Sequence, residues 1–276
     1  MKNIGFVDYY ISEWHANNYP KWISDVTDEY KVAYAWAEVD VSAVTGESTD
    51  EWCKKNGVER CLTLDELCEK SDVIVILAPS SPETHLGYAE VALKYGKPTY
   101  IDKTFAPDRR TADKIFALAK EYGAPMFSSS ALRYAEEYKN TSGYRRIITT
   151  GGGSNAPEYI IHQAETVVKH LGVGALAVKC DKKGDELIFS VEYPDDRCAT
   201  MIYGAAYDFT AYLSADAKPS CYLRAESDFF KGLIRDMVRF FDERTVSFPE
   251  EETLEVMSIR EGAVLAMNTP GETIKL

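Results

Sequence analysis

Three side chains in this sequence carry groups suited to proton transfer and charge stabilisation: the ammonium of Lys103, the imidazole of His162 and the carboxylate of Glu158. In Pro157-Glu158-Tyr159-Ile160-Ile161-His162, a helix of about 3.6 residues per turn puts the carboxylate and the imidazole on one face, where they can meet at a cleft. An imidazole so placed accepts a proton, a neighbouring carboxylate orients or charges it, and an ammonium stabilises an oxyanion. Each residue also has a plainer explanation. Glu158 suits a helix amino end, His162 a satisfied helix position and Lys103 a solvated loop. Spacing alone favours the plainer set, so the surrounding elements decide how much weight the three residues carry.

Lys103 has the best-defined setting. Residues 73–77 form a continuous apolar run of the kind that makes a strand buried on both faces. The chain turns at Ala78-Pro79, and Ser81 and Pro82 suit the start of a helix that Gly96 and Pro98 end. Leu86, Ala89, Ala92 and Leu93 line one face of that helix, and a second strand follows at residues 99–101. A right-handed strand–helix–strand unit delivers Asp102, Lys103 and Thr104 to the carboxyl end of the sheet, where open α/β sheets bind ligands.

The same alternation of strand and helix signals runs through residues 1–130, with strands expected at 4–7, 32–37, 73–77, 99–101 and 125–128. Thr63 and Glu66 have capping-box spacing, and Asp108 opens a helix that buries Ala112, Ile115, Ala119 and Tyr122 before Gly123 ends it. After Arg133 the pattern becomes a succession of strands, at 144–149, 175–180, 186–193, 198–203 and 207–213, with a helix over 157–171 before most of them. Two closing helices follow. The fold class is therefore α/β: an N-terminal Rossmann-like, doubly wound parallel sheet over 1–130, then a C-terminal α+β domain over 131–276 on a mostly antiparallel, open sheet.

Length and composition narrow the function further. A chain of 276 residues with 45% hydrophobic content supports two modest domains. A net charge of −13 repels phosphate backbones and anionic lipid surfaces, which argues against nucleic-acid or membrane partners. The amino terminus lacks the apolar run of a signal peptide, and no segment is long and apolar enough to span a bilayer. The six cysteines form no CxxC pair and the four histidines show no zinc-type spacing, so no metal site is expected. A cytoplasmic protein using its thiols as small hydrophobes is the plainest account.

Several segments together resemble the Gfo/Idh/MocA oxidoreductases: His85 after the strand-ending Pro79, the helix closing in YGKPTYI, the DKT tripeptide, and the terminal DFFKGLIRDMVRFFDE and FPEEETLEVMSIREGAVLAMNTPGETIKL. In that family the tripeptide is typically Glu-Lys-Pro and its lysine is catalytic, so the resemblance gives that role to Lys103, with Asp102 and Thr104 as departures. It makes His162 the proton acceptor, with Glu158 in place of the family's aspartate. It implies NAD or NADP as cofactor, a sugar, polyol or related hydroxyl or carbonyl compound as small-molecule substrate, and a homo-oligomer assembled through the open sheet face. The implied cofactor contacts are Asp8, Tyr10 and Ile11 in the first loop, Glu38 (or Asp40) on the ribose, then Pro79, His85 and Asp102. Arg133 is expected to make an interdomain ion pair, and the sheet region looks short for the family.

The first loop departs most from the pattern. A dinucleotide fold uses GxGxxG after its first strand, so that backbone can approach the pyrophosphate at a helix amino end. Here Asp8, Tyr10 and Glu13 occupy the three glycine positions on an ungapped match, bringing bulk and negative charge. Both are expected to weaken dinucleotide binding. His15 matches a histidine that often follows the family's loop if one residue is gapped, and the Thr149–Asn155 glycine run is either an anion-binding nest or a plain loop. A competing expectation follows: a non-catalytic binding or regulatory protein on the same scaffold that has lost dinucleotide binding.

Overall fold

The computed structural model describes all residues from Met1 to Leu276. The chain divides into two units, Met1–Ser129 with Leu233–Ser247, and Ser130–Gly232 with Phe248–Leu276. The first unit is built on six parallel strands: β1 (Lys2–Asp8), β2 (Tyr30–Ala37), β3 (Glu59–Arg60), β4 (Val73–Ile76), β5 (Thr99–Ile101) and β6 (Met126–Phe127). Their order in the sheet is β3-β2-β1-β4-β5-β6, so the winding reverses between β1 and β4. That switch point is where a doubly wound sheet opens a crevice at its carboxyl edge. Every residue of β4 is buried, as its uninterrupted Val-Ile-Val-Ile run requires.

The crossover helices are α1 (Trp14–Val26), α2 (Thr49–Asn56), α3 (Leu64–Lys70), α4 (His85–Ala92) and α5 (Arg109–Tyr122). Thr63 caps α3 by accepting from the Glu66 amide at 3.1 Å, while the Glu66 side chain reaches back to the Leu62 amide at 2.8 Å. Ser81 makes no side-chain cap: Pro82 begins a single 3-10 turn, and α4 starts three residues later, at His85. Along α5 the buried positions are Ala112, Ile115, Phe116 and Ala119, whereas Tyr122 is exposed at the helix end.

The first unit takes in Leu233–Ser247 as well as Met1–Ser129, so a helix from the far end of the chain returns to it. In α7 (Phe229–Glu243), Phe240 packs 4.8 Å from the Phe127 ring and Phe241 lies 5.6 Å from Tyr30. Asp242 then accepts from Tyr30 Oη at 2.7 Å and Lys2 Nζ at 2.6 Å, fixing α7 to the start of β1 and β2. These aromatic contacts could not be assigned to a partner from the helical periodicity alone.

The second unit holds seven strands: β7 (Arg146–Gly151), β8 (Ala177–Lys183), β9 (Glu186–Glu192), β10 (Cys198–Tyr203), β11 (Thr210–Ala215), β12 (Lys218–Arg224) and β13 (Thr273–Lys275). The order is β12-β11-β7-β10-β9-β8-β13, antiparallel except for the central parallel pair β7 and β10. Edge strand β12 extends the sheet beyond the five strands of the sequence pattern, and β13 is the last strand that the closing segment's resemblance implied. Helices α6 (Ala156–Leu171) and α8 (Glu250–Asn268) pack together and cover one face, and the other face exposes Ile148, Tyr212 and Tyr222 on adjoining strands.

All six cysteines are free, and burial pushes the thiols of Cys53, Cys61 and Cys68 up to about 11, 11 and 12, leaving them protonated and inert. No group of three or more His, Cys, Asp or Glu side chains is arranged to hold a metal, and no helix is long and apolar enough to cross a membrane.

One buried group of the second unit makes its stability pH-dependent. His170 donates from Nδ1 to Thr166 O at 2.7 Å, and burial lowers its pKa to about 4. The bond to Thr166 opposes the shift, and the nearby Lys169 and Arg133 charges reinforce it. The unfolded chain takes up this proton below its ordinary 6.5, the folded chain only below about 4, so stability falls as pH drops through that window. The expected loss is about 3 kcal/mol by the linkage relation. Denaturant melts from pH 7 to pH 4 should show this fall in the unsubstituted protein and a smaller one in His170→Gln. Parallel pH curves for the two proteins would rule it out.

Candidate functional site

The carboxyl ends of β1, β4 and β5 bring together Asp8, Glu13, His15, Tyr19, Tyr100, Asp102 and Lys103, all within the first unit. Asp8 ends β1 and is 1% exposed; its Oδ1 accepts from the Tyr9 amide at 2.7 Å and the Ala78 amide at 3.1 Å. The second of these bonds ties the end of β1 to the turn after β4, across the switch point. Ala78 itself adopts a left-handed φ of 47°, a conformation that L residues rarely take. Asp8 Oδ2 is buried with no hydrogen-bond partner. Burial pushes the Asp8 carboxyl well above the ordinary carboxylate range; the Glu13 carboxylate adds to the shift, the two amide bonds oppose it, and Asp102 contributes a smaller push.

This predicts that Asp8→Asn raises the melting temperature at neutral pH. The amide keeps the Oδ1 acceptor and removes an ionisable group from a dry position. With the folded pKa raised, the unsubstituted protein loses stability as pH climbs above 3.8, where the unfolded carboxyl ionises, and through the folded pKa. Melting curves across that range should diverge in favour of Asn. A less stable Asn variant at neutral pH would refute the assignment.

The first helix starts in an unusual way. Glu13 is its N-cap: Oε1 accepts from the Ala16 amide at 2.5 Å and Oε2 from the His15 amide at 2.8 Å. The His15 ring bridges two acids, with Nδ1 3.2 Å from Glu13 Oε2 and Nε2 3.6 Å from Asp102 Oδ2. Nothing in the sequence flagged Glu13 as a cap, because Ser, Thr, Asp and Asn are the residues that ordinarily take that position. The rest of the loop is tied by the chain's own bonds: the Val39 amide donates to Tyr9 O at 2.7 Å, Ser42 Oγ to Ser12 O at 2.6 Å, and Ser12 Oγ to Glu47 Oε2 at 2.6 Å.

Asp102, 1% exposed, is the hub beside the lysine. Its Oδ1 accepts from Tyr100 Oη at 2.9 Å and Tyr19 Oη at 3.4 Å, and its amide donates to Ile76 O at 2.8 Å. Lys103 Nζ lies 4.0 Å from Asp102 Oδ2, its side chain only 12% exposed, and it makes no hydrogen bond to the protein. An ammonium so covered yet unbonded keeps its donors for a ligand. The Lys103–Thr104 peptide is cis.

The other residues expected to touch a cofactor fall into two groups. Glu38, at the end of β2, is exposed and accepts from Tyr88 Oη at 2.6 Å. Tyr10 is half-buried, edge-on to Tyr9. By contrast Ile11 and Pro79 are buried, and His85 is fully buried with Nε2 2.8 Å from Leu77 O and Nδ1 3.0 Å from Phe105 O. Both His85 nitrogens thus serve the backbone of the loops after β4 and β5. Burial lowers its pKa while the two carbonyls pull the other way.

In the second unit, His162 lies on α6 with Nδ1 2.7 Å from Ser130 Oγ. Ser130 also receives the Leu132 amide at 3.2 Å on Oγ, and its own amide donates to Glu165 Oε2 at 3.1 Å. Glu165 pairs through Oε1 with Arg133 Nε, and Arg133 Nη2 donates to Glu252 Oε2 at 2.7 Å. Arg133 therefore serves a buried network inside its own unit, not the interdomain pair expected of it. Glu158 closes a reciprocal cap: its amide donates to Asn155 Oδ1 at 2.9 Å and its Oε2 accepts from Asn155 Nδ2 at 3.0 Å. The glycine run before α6 serves packing. A Cβ on Gly152 would sit 2.4 Å from Gly204 O, and one on Gly153 2.1 Å from the Tyr159 ring.

No family model matches the chain. A 60-residue segment is 37% identical to an uncharacterized oxidoreductase, YhhX, of Escherichia coli (strain K12), a match spanning 22% of this chain and 17% of that protein. Solved structures resemble nearly the whole chain. A scyllo-inositol dehydrogenase from Lactobacillus casei, solved with NAD(H) and scyllo-inositol, has a TM-score of 0.81 at 14% identity, covering 99% of this chain and 98% of that one. A probable dehydrogenase from Thermotoga maritima gives 0.81 at 12% identity over 99% and 98%. The UDP-N-acetylglucosamine 3-dehydrogenase GnnA from Acidithiobacillus ferrooxidans gives 0.77 at 13% over 96% and 97%. The chain has the two-domain fold of the Gfo/Idh/MocA-type dehydrogenases.

Proposed function

We propose that this chain is an oxidoreductase that interconverts a hydroxyl and a carbonyl on a sugar, polyol or related small molecule, with NAD or NADP as the partner in hydride transfer. The observation that carries the reading is Lys103: a largely covered ammonium without a protein hydrogen bond, beside buried Asp102, at the carboxyl edge of a doubly wound sheet. The fold adds support, since proteins sharing it include dehydrogenases of inositols and of a nucleotide sugar.

The residues at the switch point fit a dinucleotide once Glu13 leaves the start of α1. Glu38 would then hold ribose hydroxyls, and the His15 and Ala16 amides the diphosphate. When bound, the nicotinamide supplies a two-electron hydride acceptor or donor. The chain's own residues handle charge and protons. Lys103 stabilises the negative charge that develops on the oxygen of the reacting carbon. In the second unit, His162 is the proton acceptor that the resemblance implies, with Glu158 one turn before it on α6 and Ser130 Oγ 2.7 Å from its ring. Asp102 is a positioning residue for Lys103.

The proposed partners are small molecules and a second copy of the chain through the open sheet face carrying Ile148, Tyr212 and Tyr222. Net charge argues against nucleic acid and anionic membranes, and six free thiols suit the cytoplasm. The test is nicotinamide absorbance during incubation with a panel of sugars, polyols and inositols and each dinucleotide. Turnover of at least one compound is expected, and saturable cofactor binding without any turnover across the panel would count against it. A second reading, a binding or regulatory protein without dinucleotide, is favoured by one observation: the Glu13 carboxylate on the amides of α1.

A further inference from the structure

We propose that Glu13 is a built-in occupant of the phosphate seat at the start of α1, so that a dinucleotide can bind this chain only by displacing the Glu13 carboxylate. The proposal rests on the dinucleotide reading above and specifies how binding at that site is restrained.

A helix leaves its first amides without intrahelical partners, and these amides together with the helix dipole attract an anion. In α1 two of them, on His15 and Ala16, are already bonded to the two oxygens of one carboxylate. Glu13 and a diphosphate therefore compete for the same donors. The carboxylate is well held: it is 7% exposed, and the His15 ring contacts it at 3.2 Å. The loop that would have to yield is pinned at Tyr9 and Ser12 by the bonds from Val39 and Ser42 and by the Ser12 hydroxyl's bond to Glu47.

A second observation at the same place points to a ligand. Asp8 Oδ2 is buried without a hydrogen-bond partner, close enough to Glu13 for the two acids to interact. A buried polar atom left unpaired in an otherwise tightly bonded loop marks the conformation as incomplete. Asp102 Oδ2, also unbonded, has His15 Nε2 at 3.6 Å and Lys103 Nζ at 4.0 Å. The self-capped loop is thus internally satisfied at α1 but unsatisfied at the crevice behind it. Moving Glu13 aside would open the route between the two.

The test is calorimetric titration of the full chain, unsubstituted and as Glu13→Gly and Glu13→Gln, with NADH, NADPH, ADP-ribose and adenosine. Glycine is tolerated at an N-cap at little cost, and thermal melts confirm that the variants are folded. Glu13→Gly is expected to tighten binding of the three diphosphates by about tenfold or more, the scale of a lost cap and its charge. Glu13→Gln should fall between, because its single carbonyl oxygen can keep one of the two amide bonds while the charge is lost. Adenosine, which has no diphosphate, should bind all three proteins alike.

Equal diphosphate affinity in all three proteins would overturn this proposal and leave the dinucleotide reading standing. An equal gain for adenosine would assign the change to general loosening and overturn it too. No binding by any variant would overturn both.

Discussion

Lys103→Ala is expected to lower turnover by about 10²–10³-fold, the range seen when one preorganised donor to a developing oxyanion is removed. Dinucleotide affinity should change little, because the proposed role of the ammonium is at the reacting oxygen. The asymmetry is the informative part. Lys103 makes no hydrogen bond within the protein and has one carboxylate at 4.0 Å, so its removal breaks no structural bond and leaves stability near that of the parent. Asp102 loses a distant charge partner but keeps the Tyr100 and Tyr19 hydroxyls. Steady-state kinetics with parallel cofactor titrations would separate the two effects. Unchanged turnover in the alanine variant would remove Lys103 from the mechanism.

Arg133→Ala should be the most destabilising of the substitutions considered, by about 3–5 kcal/mol, the cost of leaving one side of a buried ion pair without its partner. Arg133 is 7% exposed, lies between Glu165 and Glu252, and stacks 4.0 Å from the centre of the Phe248 ring. Removing it strands the Glu165 carboxylate, which is itself buried. The consequence reaches the site, because Glu165 also accepts from the Ser130 amide and Ser130 holds His162. Denaturant unfolding should show a lower midpoint, and NMR of the His162 ring should report a changed environment. A loss below about 1 kcal/mol, the ceiling typical of exposed pairs, would contradict the buried-network account.

Much of the first unit was legible because its signals are local. The apolar run at 73–77, the Gly96 stop and the strand at Thr99–Ile101 are properties of a few adjacent residues, and together they placed Lys103 at the sheet edge where the structure has it. The central strands of the second unit were legible through their alternation, down to the exact limits of Cys198–Tyr203. What escaped depends on long-range pairing. The parallel β7 and β10 pair, the edge strand β12, and the return of α7 to Phe127 and Tyr30 are choices of partner that no periodicity encodes.

The candidate site divides along the same line. Reading Asp8, Tyr10 and Glu13 against the glycine pattern put negative charge in the loop, but the partners of that charge were not legible. The structure turns Glu13 back on its own helix and buries Asp8 against the Ala78 amide. Helical spacing put Glu158 and His162 on one face; what it did not reveal is that Asn155, three residues before Glu158, engages it as a cap. Ser130 was one of three consecutive serines with nothing to single it out; only the fold brings its hydroxyl to His162.

Calorimetric titration of the unsubstituted chain with NADH and NADPH addresses the central claim most directly. Saturable binding of at least one, weakened by the Glu13 cap but measurable at millimolar ligand, is the expected result; no saturable binding of either at that concentration would contradict the dehydrogenase account.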